Sequence, residues 1–564
     1  MSDQTPGSGP KKELSMEARL LIAFGLMGVV LLLTPYIVPK PPAPPKKAPE
    51  GKVEQAAKPA PDEAKPAASA AKPPAGAVSA AREQEFTVET GLYKVTFTNR
   101  GALVKSWVLK KYKDSRGRPL ELVNQAAQAA KINSPFAIRY RDGKGAHDLN
   151  AALFAARQTE DGLGIEFEYS NGAAYASKKF QFTRDGYLTR IQSRVLEGNT
   201  EKPHLLSWRG GFGDETVIGA AVSQHAVLYD QDKQELIAKP GNDVDGGVMI
   251  QRGNYTFAGL SDTYFAAAAL PESGAQMEVH FLNDKLPNAI DQKEDLFAGV
   301  ALGGEGSNSF QLFVGPKDLD LLKSISPRLE QLVDWGWFGF IAKPLFLALN
   351  WMNDKFIHNY GWSIVVLTVI INFLLLPLKI TSLKSMKKMS VLQPQIKAIN
   401  AKYSGMSLKD PRKAKQNEEI MDLYKKHGVN PASGCAPMLL QIPFFIAFYK
   451  VLSVAIEMRG ATWLWVTDLS RPEDLGIRIL PLAMVGTQFF LQKMTPNASG
   501  DAQQQRIMLM MPLFLGFMFY GQSSGLVLYW LTSNVVGIAQ QWFFNRMGHS
   551  QTPAASAVVN VKKK

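Results

Sequence analysis

The chain has 564 residues, 46% of them hydrophobic and 20% charged, and a formal net charge of +13. That average hides a chain whose apolar residues are concentrated in a few long runs, so the local pattern decides its class. A single cysteine, Cys435, excludes a disulfide framework and a thiolate metal site, so an exported domain must hold together by its core.

Residues 1–19 form a polar tail carrying Lys11, Lys12 and Arg19, followed by an apolar run from Leu20 to Val38. At about 1.5 Å per helical residue, residues 20–38 can cross a hydrocarbon layer of about 30 Å. The run ends in Pro39-Lys40-Pro41-Pro42 without a small-x-small cleavage site, which reads as an uncleaved anchor with the tail in the cytoplasm. Residues 39–85, rich in Pro, Ala and Lys, suit an extended linker.

Between residues 86 and 325 come many short β-type segments, such as YKVTFTN from Tyr93 and IEFEYS from Ile165, divided by Gly, Asn and Asp. Alternation of this kind predicts an antiparallel β-sandwich. The stretches RGGFGDE around Gly211 and ALGGEGS around Gly304 do not run on into Gly-Lys-Ser/Thr, so they read as turns rather than phosphate loops. His147, His204, His225 and His280 lack metal-ligand spacing, and neither a metal nor a cofactor is expected.

Residues 326–358 are ambiguous, because Trp335 to Ile357 is apolar yet contains Lys343, Pro344, Asn350, Asn353, Asp354 and Lys355. Parity decides the reading. Residues 381–434 carry eleven Lys/Arg against four Asp/Glu. A crossing at 335–357 would place that basic segment outside, against the positive-inside rule, so an amphipathic helix in the outer interface is expected, with Trp335, Trp337 and Trp351 at headgroup level.

Residues 359–546 hold five further apolar runs, Gly361–Leu378, Cys435–Ile456, Gly476–Leu491, Ile507–Tyr520 and Gly525–Phe544. With the anchor they make six spans, both termini in the cytoplasm, and residues 547–564 form a basic cytoplasmic tail. Inside the basic segment, helical patterns at Met386–Tyr403 and Arg412–His427 flank Ser404-Gly405 and Pro411, which predicts a cytoplasmic helical hairpin. Its basic residues, Lys384, Lys387, Lys388, Lys397, Arg412 and Lys413, can set topology alone or face RNA or anionic lipid. The expected fold is therefore a membrane α-helical bundle of six spans, five forming a core, plus an exported antiparallel β-sandwich.

Within the five C-terminal runs there is no Asp or His, and the sole Glu is Glu457 at the end of the third span. A nucleophile with its base, a metal cluster or an intramembrane proton carrier cannot be assembled, which argues against an enzyme. What remains is uncharged and polar: Thr368, Asn372, Gln441, Gln488, Gln492, Ser533, Asn534 and Gln541. Thr368/Asn372 and Gln488/Gln492 are i, i+4 pairs, and Asn534/Gln541 lie seven apart, so each set shares a helical face. Most fall in the cytoplasmic halves of their helices, as in a wet recess open on one side, although interhelical hydrogen bonding alone accounts for any single one.

The stretches LYKKHG from Leu423, NPASGCAPMLLQIPFF from Asn430, VLQPQIK from Val391 and SGLVLYWLTSN from Ser524 closely resemble the YidC membrane insertase family in its Gram-negative form. Weaker correspondence extends to TFTNRGALVKSW from Thr96, AGLSDTYFAAA from Ala258 and LFVGPKDLDLL from Leu312. The resemblance implies a nonenzymatic insertase and chaperone of the bacterial inner membrane with a periplasmic β-sandwich. Implied partners are nascent membrane proteins, the Sec translocon, the ribosome, signal-recognition components and the lipid bilayer, with no DNA. A transporter or an assembly scaffold is the alternative from the residues alone.

One departure bears on mechanism: Asn372, in LTVIINFLLLPL, stands where the family typically has an arginine, and Ser523 stands where proline is common. Lys450, in FYKVLSV, is the strongly charged residue well inside a span, either snorkelling to the outer interface or supplying a displaced cation.

Overall fold

The computed structural model describes residues 76–548 apart from 142, 144, 218, 273–275, 291, 305, 404–411, 430–435 and 496–501. The tail 1–19, the anchor 20–38, most of the linker 39–85, Cys435 and the chain beyond Gly548 lie outside the described residues.

From Glu85–Glu89 to Asn308–Pro316 the chain is almost entirely β-structure, built as a four-stranded, a five-stranded and a ten-stranded sheet. Neighbouring strands pair antiparallel, as in Ala174–Phe182 on Leu188–Glu197 and Phe265–Pro271 on Asn308–Pro316. Leu206, Trp208, Val300 and Leu302 of the five-stranded sheet face Leu260, Ala267, Phe310 and Leu312 of the ten-stranded one across a shared interior. The period-two pattern dictates this: in Tyr93–Thr98 the residues Tyr93, Val95 and Phe97 are buried, while Lys94 points out. Aromatic packing fills the centre, with Phe97 and Phe180 ring centroids 4.9 Å apart and Phe97 and Phe167 5.7 Å apart.

Lys178 runs into this core with no exposed surface. Its Nζ donates to the carbonyls of Gly101 and Phe136 at 2.7 Å and of Ala102 at 3.3 Å. Those carbonyls are free of strand ladders because Gly101, Ala102 and Phe136 all have positive φ. Burial pushes the Lys178 ammonium down to about 7.

Short helices α1 (Gln125–Ala129), α2 (Ala220–Ser223) and α3 (Leu319–Ile325) decorate the sandwich; Asp318 caps the last by accepting from Leu321 N at 2.9 Å. The expected interfacial helix 326–358 is three pieces rather than one. A 3-10 turn spans Pro327–Leu332, α4 spans Gly339–Met352, and a π turn spans Asn353–Ile357. Gly336, at φ 65, breaks the first join, and His358, at φ 52, ends the last. Beyond it α5 (Tyr360–Leu374) departs at 117°. Phe340 (75% exposed), Leu347 and Trp351 lie exposed on α4 and Trp337 (92%) stands exposed just before it, while Ala342, Phe346, Leu349 and Met352 of α4 are buried.

The expected span Gly361–Leu378 is also divided: α5 stops at Leu374, and α6 (Leu376–Val391) restarts with Pro377 in its first turn. α7 (Gln393–Lys402) and α8 (Arg412–Lys426) follow, joined to α6 by a small apolar cluster of Met389, Leu392, Ile396, Tyr424 and Val429. The remaining helices are α9 (Ala436–Val454), α10 (Ile479–Met494), α11 (Ala502–Phe519) and α12 (Ser524–Gly548). Each of the five C-terminal apolar runs thus contains a helix, but no described helix is by itself long and apolar enough to cross a membrane; α4 with its π turn and α5 pass only together, as a bent pair. The six-span count rests on sequence, because breaks shorten α5 to 15 residues and polar side chains such as Asn534 and Gln541 dilute the 25 residues of α12.

Candidate functional site

α12 is the axis of the helical region, packing against α5 on one side and α10 on the other. Successive helical residues point about 100° apart, so neighbours on α12 serve different partners. Ser533 turns to α5 and Asn534 to α10.

On the α5 side, the Thr368 hydroxyl is buried and donates to the Ile364 carbonyl at 2.6 Å. Asn372, one turn further, is also buried and donates through Nδ2 to the Thr368 carbonyl at 2.8 Å and to Ser533 Oγ at 3.2 Å. Its Oδ1 accepts from the ammonium of Lys379 at 2.6 Å. Lys379 also donates to Gln540 Oε1 at 3.4 Å, and Gln540 Nε2 returns to the Asn372 carbonyl at 3.2 Å. The circuit joins α5, α6 and α12. Among the described residues no ion pair is found for Lys379, so its charge rests on neutral amide oxygens.

On the α10 side, Asn534 Nδ2 donates to the Met484 carbonyl at 3.2 Å and to Thr487 Oγ1 at 3.3 Å. Gln488 Oε1 accepts from the Trp530 indole at 3.2 Å. Near the far end of α12, Gln541 Nε2 donates to Asn545 Oδ1 at 2.9 Å. Gln441 is half-buried on α9, where its side chain interacts with the Tyr529 hydroxyl. Gln492 sits on the last turns of α10, half-buried. Of the eight expected polar residues, Thr368, Asn372 and Ser533 therefore meet between α5 and α12, Gln488 and Asn534 lie between α10 and α12, and Gln441, Gln492 and Gln541 stand around them.

Toward the first turns of α12 the polar groups give way to rings. Phe445 and Phe448 of α9, Phe519 of α11 and Tyr529 and Trp530 of α12 form one layer, with centroids 4.8 Å apart for Phe445–Trp530 and Phe519–Trp530 and 4.5 Å for the stacked Phe448–Tyr529 pair.

Lys450 is not in this network. Its ammonium pairs with Asp334 at 2.5 Å, in the segment between the sandwich and α4. The ammonium that meets Asn372 belongs to Lys379, whereas that of Lys450 meets Asp334. Sequence reasoning missed Lys379, Gln540, Thr487 and Trp530. The seven-residue spacing from Asn372 to Lys379, two helical turns, was the available signal, hidden because Lys379 lies just past the expected end of its span.

On the hairpin, Lys384, Lys387, Lys388, Lys397 and Arg412 are all exposed, while the side chain of Lys413 lies outside the described residues.

Residues 351–551 match the family model of the 60Kd inner membrane protein, and residues 85–348 that of the YidC periplasmic domain. The "Membrane protein insertase YidC" of Pelobacter propionicus is 34% identical over 485 residues, covering 83% of this chain and 88% of the relative. The protein of the same description from Ralstonia nicotianae is 34% identical over 541 residues, covering 93% and 94%. Among solved structures, an "Active YidC insertase crystal structure with the first transmembrane domain resolved" aligns at 19% identity with a TM-score of 0.36, over 82% of this chain and 93% of the other.

Proposed function

The chain belongs to the YidC membrane insertase family, and from that premise we propose that it inserts nascent membrane proteins through a polar groove between its C-terminal helices. The observation that carries the reading is the circuit of Thr368, Asn372, Lys379, Ser533 and Gln540, held among helices whose other faces are apolar. Ile370, Phe373, Leu374, Phe514, Phe517 and Val535 lie exposed on those faces, the pattern of a surface solvated by lipid.

A charged side chain at a bilayer centre costs about 2.5 to 3.5 kcal/mol on insertion scales. A polar recess reaching part of the way shortens the apolar crossing, so the polar flank of a substrate rests in the groove while its apolar helix leaves sideways into lipid. Thr368, Asn372, Gln441, Gln488, Gln492, Ser533, Asn534 and Gln541 line that groove, and the aromatic layer of Phe445, Phe448, Phe519, Tyr529 and Trp530 closes it toward the sandwich. Lys379 supplies the positive charge that Asn372 lacks. An ammonium facing only neutral oxygens gains most from an incoming carboxylate, because the attraction is weakly screened where water is scarce.

In this reading the protein sits in the bacterial inner membrane, nonenzymatic, with six spans, both termini in the cytoplasm and the sandwich in the periplasm. α4 lies in the outer interface on the face bearing Phe340 and Trp351, with Trp337 just before it at the same surface. The exposed lysines of the hairpin face the ribosome and signal-recognition components, and the Sec translocon is a partner for a subset of substrates. Photocrosslinkers at Asn372, Gln441 and Gln488 are expected to capture a ribosome-stalled membrane protein. Capture confined to crosslinkers in the sandwich would refute the groove.

A further inference from the structure

Arg459 follows α9 and buries its guanidinium in the β domain, its side chain 4% exposed and that of its partner Asp214 2% exposed. Several separate pieces of the sandwich hold it. One terminal nitrogen donates to the Asp214 carboxylate and, at 2.7 Å, to the Lys113 carbonyl, while the guanidinium lies 5.5 Å and 5.4 Å from the ring centroids of Tyr264 and Phe265.

The socket is prepared for that guest. Asp214 Oδ1 is occupied by Thr216, whose backbone N and Oγ1 donate at 3.0 Å and 2.6 Å, which leaves Oδ2 for the arginine. Asp214 N donates to Asp262 Oδ2 at 3.2 Å. A Cβ on Gly213 would stand 1.9 Å from that same Asp262 oxygen, and Gly213 has a φ of +97, so glycine alone permits the approach.

The other end of the segment is stitched to α12. Leu469 N donates to the Ala461 carbonyl at 2.9 Å, and the Leu469 carbonyl accepts from Gly525 N at 2.9 Å. The Arg471 carbonyl accepts from Ser524 N at 2.7 Å and Ser524 Oγ at 2.8 Å, while Arg471 Nη2 stands 3.9 Å from Asp214 Oδ2. Asp214 thus faces one cation at each end of the strap 459–471, and the strap holds the first turn of α12. Ser533 and Gln540 lie further along that same rigid helix.

We propose that Arg459 is a positioning residue for the groove: locked into the sandwich by Asp214, it fixes the strap 459–471 and so the seat of α12, which sets Ser533 and Gln540 against Asn372 and Lys379. The functional half of this proposal rests on the groove reading; the mechanical half does not. Removing one member of a buried pair leaves a stranded charge, whereas removing both does not, and that difference separates a lock from independent contacts.

The test uses the full chain in nanodiscs with Arg459→Met, Asp214→Asn and the double variant, reading amide hydrogen exchange over residues 524–531 and insertion of acidic and neutral substrates. Each single variant is expected to raise exchange in that turn at least tenfold and to slow insertion of both substrates equally, with the double variant no worse than either single one. Near-ultraviolet circular dichroism of the tryptophan core checks folding, and the isosteric Asp214→Asn alone decides if Arg459→Met does not fold. Unchanged exchange in α12, additive losses in the double variant, or faster exchange with insertion intact would each overturn the proposal. Loss of crosslinks from Asn372 in the unsubstituted protein would instead strike the groove reading, leaving the exchange result to stand on its own.

Discussion

The sandwich and the helical region each draw a lysine into their interior, and they house it differently. Lys178 is closed in by three backbone carbonyls, those of Gly101, Ala102 and Phe136, on loops whose conformation the surrounding sheets hold. Lys379 leans on two side-chain amides, Asn372 and Gln540, which can turn about their own bonds. Backbone oxygens cannot leave without unfolding the loop that carries them, so the first lysine is part of the scaffold. Side-chain amides release an ammonium at the cost of one rotation each, so the second can change partners while the helices stay in place.

The sharpest break between the regions is expected from the sandwich core. Phe97→Ala removes a fully buried ring that packs on Phe167, Phe180 and Phe182, and should cost about 3 to 5 kcal/mol. Urea unfolding followed through Trp107 and Trp208 fluorescence measures it; a shift below about 1 kcal/mol would mean that the aromatic cluster is not the stabilising centre.

The lysine contrast is tested next by pH. An unfolded chain holds its lysine proton up to the ordinary value near 10.5, whereas folded Lys178 gives it up near 7. Between those values the unfolded state binds more protons, so folding stability gains about 1.4 kcal/mol per pH unit from this group as pH rises. That gain is absent below about 7, where both states are protonated. Subtracting the unfolding free energies of Lys178→Met from those of the unsubstituted protein at pH 7 and 9 isolates the slope, and a difference independent of pH would show that Lys178 does not titrate as its burial requires.

Lys379→Met should act in the opposite sense: little change in thermal unfolding, but about a tenfold loss, or about 1.4 kcal/mol, in insertion of substrates with acidic flanks, with neutral ones spared. Lys450→Met, which removes the Asp334 pair, should not show this selectivity. Equal losses on both substrates with Lys379→Met would reduce that lysine to a structural role. The smallest effect is expected at Trp530→Phe, which forfeits the bond to Gln488 while keeping the ring, worth about 0.6 kcal/mol by analogy with other interhelical hydrogen bonds. A loss of several kcal/mol in sodium dodecyl sulfate unfolding would place Trp530 at the centre of the bundle's stability rather than in a closing layer.

Much of this division was legible from residues alone. Alternating burial in segments such as Tyr93–Thr98 follows from period-two patterning, and the apolar runs that contain α5 and α9 to α12 are visible as runs. Thr368, Asn372, Ser533 and Asn534 stand out in the sequence as polar residues among apolar neighbours, and all four are buried. The interfacial segment was less legible, because a glycine at Gly336 and a π turn at Asn353–Ile357 break what hydrophobicity presents as one helix.

What the sequence by itself determined is therefore local and periodic: where strands alternate, where helices run, which residues are polar among apolar neighbours, and which family the motifs resemble. Only the tertiary structure decided which of those groups meet. Asn372 and Ser533 are 161 residues apart, and Arg459 reaches Asp214 across 245. The same holds for Lys379, which meets Asn372 across the break between α5 and α6 at Leu375. Periodicity reports the face on which a residue lies, and it carries no information about what another element places opposite that face.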